Sequence, residues 1–71
     1  MTVCVENYKN NDFYISLTIE NRYGNAFYMV QVCPCFDDSR CGYPIKEMIY
    51  SIKDKKKAYA TYRRYIKKYC Q

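Results

Sequence analysis

From Ser51 to Gln71 the chain reads SIKDKKKAYATYRRYIKKYCQ, and at 3.6 residues per turn this stretch divides into two sides. Ala58, Tyr59, Tyr62, Tyr65, Ile66 and Tyr69 fall along one of them. Lys56, Lys57, Arg63, Arg64, Lys67 and Lys68 fall along the other, with Ala60 among them. This is the pattern of a helix with an apolar, mostly tyrosine stripe on one side and a basic face opposite, and the pattern does not by itself say what such a helix is for. The residues before it read as strands on which the stripe is expected to lie.

Phe13, Ile15, Leu17 and Ile19 alternate with Tyr14, Ser16, Thr18 and Glu20, the period-two pattern of a strand with one buried face. Asn21-Arg22-Tyr23-Gly24-Asn25 follows as a hairpin loop, and Ala26 to Cys33 reads as a returning strand that is apolar on both faces. A two-residue turn at Tyr23-Gly24 sets Ile19 opposite Tyr28, Leu17 opposite Val30 and Ile15 opposite Val32, which buries one clean face. A three-residue loop would slip the pairing by one and bring Gln31 inward, so the two-residue register is preferred. That register sends Phe27 and Met29 to the second face beside Tyr14 and Thr18. One helix covers only one face, so this second surface is expected to be exposed and partly apolar, the character of a partner surface.

Thr2 to Tyr8 alternates as a first strand, with Val3 and Val5 on one side and Cys4 and Glu6 on the other; Asn10-Asn11-Asp12 closes it with turn chemistry. Cys33 to Gly42 reads as a loop, because Pro34 cannot donate to a sheet ladder and the Asp-Asp-Ser run favours turns. The segment before the helix has two readings. Ile45, Met48, Ile49 and Ile52 sit at helical spacing after Pro44, which allows one continuous helix from 44. Ser51-Ile52-Lys53-Asp54 has the form of a capping box, and a helix starting there requires a different element before it. Strand 45–50 followed by helix 52–69 is the preferred assignment. The chain is thus expected to be one small α+β domain over residues 1–71. Its architecture would be an antiparallel β-meander of three to four strands with one C-terminal amphipathic α-helix on one face, in the order β-β-β-β-α.

Net charge is +5, and its placement is uneven. Residues 1–52 hold four basic side chains against six acidic ones, whereas residues 53–71 hold eight against one. A basic element of this kind suits an anionic partner or a well-solvated helix face. The N-terminus turns polar before any apolar run develops and no stretch approaches the length of a membrane span, so the expectation is a cytoplasmic protein without a membrane partner. Five cysteines, an odd number, favour free thiols over a complete disulfide framework. At 71 residues the core is small, of a size that typically supplies only about 3–5 kcal/mol, so dimerisation, a metal or a disulfide would be a natural supplement. The ten tyrosines have two readings, since Tyr, Lys, Asn, Ile and Phe are also the residues of AT-rich codons.

Three constellations could carry chemistry. On the helix, Lys56, Arg63, Arg64 and Lys67 are the expected contacts to DNA or RNA phosphates, with Tyr59 placed to stack on a base of a single strand. The same face could meet an acidic protein. Cys33, Cys35 and Cys41, with Cys4 or Cys70 brought near, could together offer four thiolates. Their C-x-C-x5-C spacing is not that of paired zinc knuckles, and there is no histidine, so neither metal nor cofactor is expected. Asp37, Asp38, Ser39, Arg40 and Cys41 crowd one loop, but no base–nucleophile–oxyanion arrangement follows from their spacing, and no enzyme activity is expected. The leading expectation is therefore a non-enzymatic nucleic-acid-binding module. The alternative is a protein-interaction or accessory protein, in one form a homodimer, using Tyr14, Phe27 and Met29 on the second sheet face.

Overall fold

The computed structural model describes residues 2–37 and 40–70, so Asp38 and Ser39 of the predicted loop lie outside the described residues. Strand β2 (Phe13–Arg22) pairs antiparallel with β3 (Asn25–Asp37) in the expected register, Ile19 opposite Tyr28, Leu17 opposite Val30 and Ile15 opposite Val32. Tyr23 (φ 54°) and Gly24 (φ 80°) both take left-handed conformations. This is the two-residue turn whose twist matches that of the strands it joins.

Strand β1 (Thr2–Lys9) lies against the other edge of β2. Its connection is locked by Asn10, whose Oδ1 accepts from the amides of Asp12 (2.9 Å) and Phe13 (2.7 Å). The simple alternation expected of β1 is broken by a bulge between Cys4 and Glu6. Val5 packs against the core, and the shifted ladder sets Glu6 opposite Leu17 and Tyr8 opposite Ile15. Glu6 is therefore on the helix side of the sheet, not on the second face, because the inserted residue reverses the order of faces.

The predicted loop at Cys33–Gly42 is largely strand. β3 runs on through Pro34 to Asp37, and Arg40–Cys41 returns beside it as the two-residue β4. Pro34 is tolerated because its carbonyl, and so its missing amide, faces the gap between β4 and the next strand. The Pro34 carbonyl there accepts from the Gly42 amide, at 2.7 Å. The ambiguous segment is strand β5 (Lys46–Ser51), paired to β3 with Tyr50 opposite Tyr28 and Met48 opposite Val30. The main sheet thus runs β1-β2-β3-β5, a four-stranded antiparallel meander, with β4 at the far end of β3.

Helix α1 spans Lys55–Tyr69, three residues later than expected. The capping box does not form. The Ser51 hydroxyl accepts from the Lys53 amide (3.2 Å), not from that of Asp54, because Ser51 is still held in β5; Asp54 is the N-cap and makes no side-chain capping bond. The helix lies across one sheet face as predicted. Ile15, Leu17, Tyr28, Val30 and Val32 from the strands meet Ala58, Tyr62 and Tyr65 in a single core, flanked by Tyr59, Ile66 and Tyr69. Thr61 is buried as well. Its hydroxyl is satisfied by the Tyr50 hydroxyl of β5, which ties the helix to the edge of the sheet.

Candidate nucleic-acid interface

Packing the tyrosine stripe down fixes where the cations go. Lys55, Lys56, Lys57, Arg63, Arg64, Lys67 and Lys68 are all exposed. Among the described residues the one salt bridge is Arg22–Glu20 (3.3 Å), far from the helix in sequence, so no helix cation is neutralised by a carboxylate. Two groups of these cations differ in kind. Lys67 and Lys68 sit in the last turn, where positive charge favours the helix through its dipole. Lys55, Lys56 and Lys57 occupy the first turn, where no acidic residue is present and positive charge opposes the dipole. Helix stability accounts for the first group and not for the second.

The N-terminal half of the helix also carries the most built feature of the polar face. Tyr59 is half-buried, with the Lys55 ammonium 5.7 Å and the Arg63 guanidinium 5.9 Å from its ring centre. These residues and Lys56 line one shallow surface groove. The arrangement follows from spacing alone, since residues 55, 59 and 63 are successive i, i+4 neighbours on one flank.

The four predicted phosphate contacts are not brought together as one set. By helical geometry Lys56, Arg63 and Lys67 fall within an arc of about 40°, on the ridge beside Tyr59. Arg64 belongs with Lys57 and Lys68 in a second row about 100° further round. It lies 5.9 Å from the ring of Tyr65, and Lys68 lies 5.3 Å from that of Tyr69. Lys55, which is not among the four expected contacts, joins the Tyr59 flank through its four-residue offset from that tyrosine.

On the second sheet face, Tyr14, Phe27 and Met29 occupy the expected side, but less apolar surface is offered than expected. Met29 is only 6% exposed, because it stands on a central strand between flanking side chains of β2 and β5. Phe27 is half-buried beneath the Arg22 guanidinium, 5.8 Å from its ring centre. Exposed aliphatic side chains gather instead along and beside β5, at Ile45 (54%), Met48, Ile49 (58%) and Ile52, while Val3, Tyr8, Tyr23, Phe36 and Tyr43 are exposed elsewhere.

The cysteines separate as well. Cys4 lies on the Tyr14 side of the sheet, where its sulfur accepts from the Asn7 side-chain amide (3.4 Å), and Cys33, Cys35 and Cys41 lie on the same face. Cys70 packs against the core at the other side. Among the described residues no three His, Cys, Asp or Glu side chains converge as a metal site. Burial pushes the thiols of Cys33 and Cys70 above their usual range, helped by the nearby Cys41 and Asp12 respectively. The Tyr14 and Tyr62 phenols are pushed up by burial too, and the neighbouring acidic groups add to it.

No helix among the described residues is long and apolar enough to cross a membrane. Comparison of the chain with protein-family models, with curated proteins and with solved structures finds no match.

Proposed function

We propose that this chain is a small non-enzymatic module that binds single-stranded nucleic acid along the Tyr59 side of its helix. The observation that carries the reading is the Tyr59 ring set between Lys55 and Arg63, beside three first-turn lysines that the helix itself does not need. A base entering the groove would replace one cation on the ring face, and the released cation would meet the adjoining phosphate. Lys56, Arg63 and Lys67 would follow the backbone, while Arg64 would lie outside the path. An anion at the first turn would also relieve the repulsion between the lysines and the helix dipole. The odd cysteine count makes the reducing cytoplasm the compartment proposed with it.

Fluorescence anisotropy with a labelled single-stranded DNA or RNA oligonucleotide tests this. Binding should appear at low salt, weaken steeply as salt rises, and exceed binding to a duplex of the same length. A protein that leaves single strands unshifted at low salt does not have this function.

A second reading, a protein-interaction module that pairs with its own copy, rests on β5. Among the described residues this edge strand is paired on its β3 side alone and carries the exposed Ile49 and Met48, and such an edge invites another strand. Tyr14, Phe27 and Met29 would then support the partner surface from within the sheet. Sedimentation of the wild-type protein against Ile49→Lys decides it. A dimer abolished by the lysine supports the reading, and a monomer at all concentrations removes it.

A further inference from the structure

Cys35 and Cys41 face each other directly across β3 and β4, with their sulfurs 3.3 Å apart. Two backbone bonds show which kind of pair this is. The Cys35 amide turns away from β4 and donates to the Asp12 carbonyl (2.8 Å), and the Gly42 amide donates to the Pro34 carbonyl (2.7 Å). Both place Cys35 and Cys41 at a non-hydrogen-bonded position of the antiparallel ladder, where opposed Cα atoms are about 4.5 Å apart. That separation lies inside the range a disulfide spans, at its short end. Cys33 is a poorer partner for Cys35. It lies two residues along the same strand, about 6.6 Å away, with its side chain parallel rather than convergent.

The pair is also held in place. On the other face of this hairpin the Phe36 ring and Pro34 close over Gly42, so tightly that a β-carbon there would come within 2.9 Å of the ring. The sulfurs remain reachable, since Cys41 is exposed and Cys35 half-buried.

We propose that Cys35 and Cys41 form a reversible dithiol–disulfide site, oxidised by a small-molecule disulfide of the glutathione class. The Cys41 thiolate, the more exposed, attacks one sulfur of the oxidant. The oxidant's S–S bond breaks and one glutathione thiol leaves with a proton from solvent. Cys35, 3.3 Å away, then gives up its proton and attacks the Cys41 sulfur, releasing the second glutathione thiol. Two cysteine thiols lose two electrons in all, and one glutathione disulfide becomes two thiols. Burial and the sulfur contact with Cys41 hold the Cys35 thiol above its usual range, which keeps it protonated and leaves the first attack to Cys41. The bond would staple the β3–β4 hairpin and leave the helix untouched, so the site is independent of nucleic-acid binding. Accessible disulfides of this kind are the ones that exchange readily.

The test uses the full chain, reduced, then exposed to glutathione disulfide, alkylated under denaturing conditions and digested with trypsin. Cleavage at Arg40 separates Cys35 from Cys41, so residues 23–40 and 41–46 remain joined only through a disulfide. The expected product is that linked pair, lighter by two hydrogens, with Cys4, Cys33 and Cys70 alkylated and the link lost again in excess reduced glutathione. Cys33→Ser should keep the link. Cys35→Ser should abolish it and stop at a mixed disulfide on Cys41. A link that survives in Cys35→Ser overturns the assignment, as does a wild-type protein that gives only mixed or intermolecular disulfides.

Discussion

Replacing Tyr59 and replacing the cations beside it should weaken single-strand binding in two distinguishable ways. Lys55, Lys56, Arg63 and Lys67 extend along roughly 18 Å of helix and offer about four phosphate contacts, so log K should fall with log salt at a slope near −2.8. Raising salt from about 50 to about 200 mM then costs about 50-fold in affinity. In Lys56→Ala with Arg63→Ala two contacts go, the slope halves to about −1.4, and the same change of salt costs only about sevenfold. Tyr59→Leu keeps apolar packing against the core but loses the ring face, at about 1–3 kcal/mol for one stacked base. It should lower affinity by a similar factor at every salt concentration and leave the slope alone, whereas Tyr59→Phe should bind nearly as the wild type does. Arg64→Ala, on the opposite flank, serves as the control and should change neither quantity much. Anisotropy titrations across a salt series read all five proteins. If Tyr59→Leu binds like the wild type, or if Arg64→Ala flattens the slope as much as the double variant does, the strand does not run beside Tyr59 and the reasoning fails.

Three further outcomes follow from the fold. Tyr23 is a bulky residue in a left-handed turn position, so Tyr23→Asn should stabilise the chain by about 1 kcal/mol, seen as a higher urea midpoint; a lower midpoint would contradict the turn geometry. Thr61→Val strands the Tyr50 hydroxyl and should cost about 1–2 kcal/mol, while Tyr50→Phe should cost less, because a threonine hydroxyl can turn back to its own helix carbonyl. Equal losses from the two variants would show that the contact is not the source. The thiols of Cys33 and Cys70 and the phenols of Tyr14 and Tyr62 have their proton affinities raised by folding. Their contribution is therefore present below the ordinary thiol and phenol values, about 8.5 and 10, and is lost as pH climbs through the raised ones. The urea midpoint of reduced protein should hold near neutrality and fall from about pH 9 upward; a midpoint that rises there would reverse the sign.

Much of the architecture was legible because it depends on periodicity, which is local. Period two over Phe13–Glu20 and period 3.6 over Ala58–Tyr69 each select one face, and the Tyr23-Gly24 turn fixes how the hairpin pairs. Local spacing also placed Lys56 and Arg63 near Tyr59. It could not weigh Arg64 correctly, because a two-sided division of the helix hides the difference between two basic rows that point about 100° apart. The capping box at Ser51 misled for a related reason, since a sequence motif cannot show that its serine is already engaged in a strand.

The residues alone therefore determined an amphipathic helix, a hairpin with one buried face, and a concentration of positive charge in one element. Tertiary structure decided the rest: that β3 passes through Pro34 to bring Cys35 opposite Cys41, that Val5 bulges and sends Glu6 to the helix side, and that Met29 is shielded on a face no helix covers. Each of these depends on which strand lies beside which, over separations that no local pattern encodes, and each is settled by where backbone amides find acceptors once the core has closed.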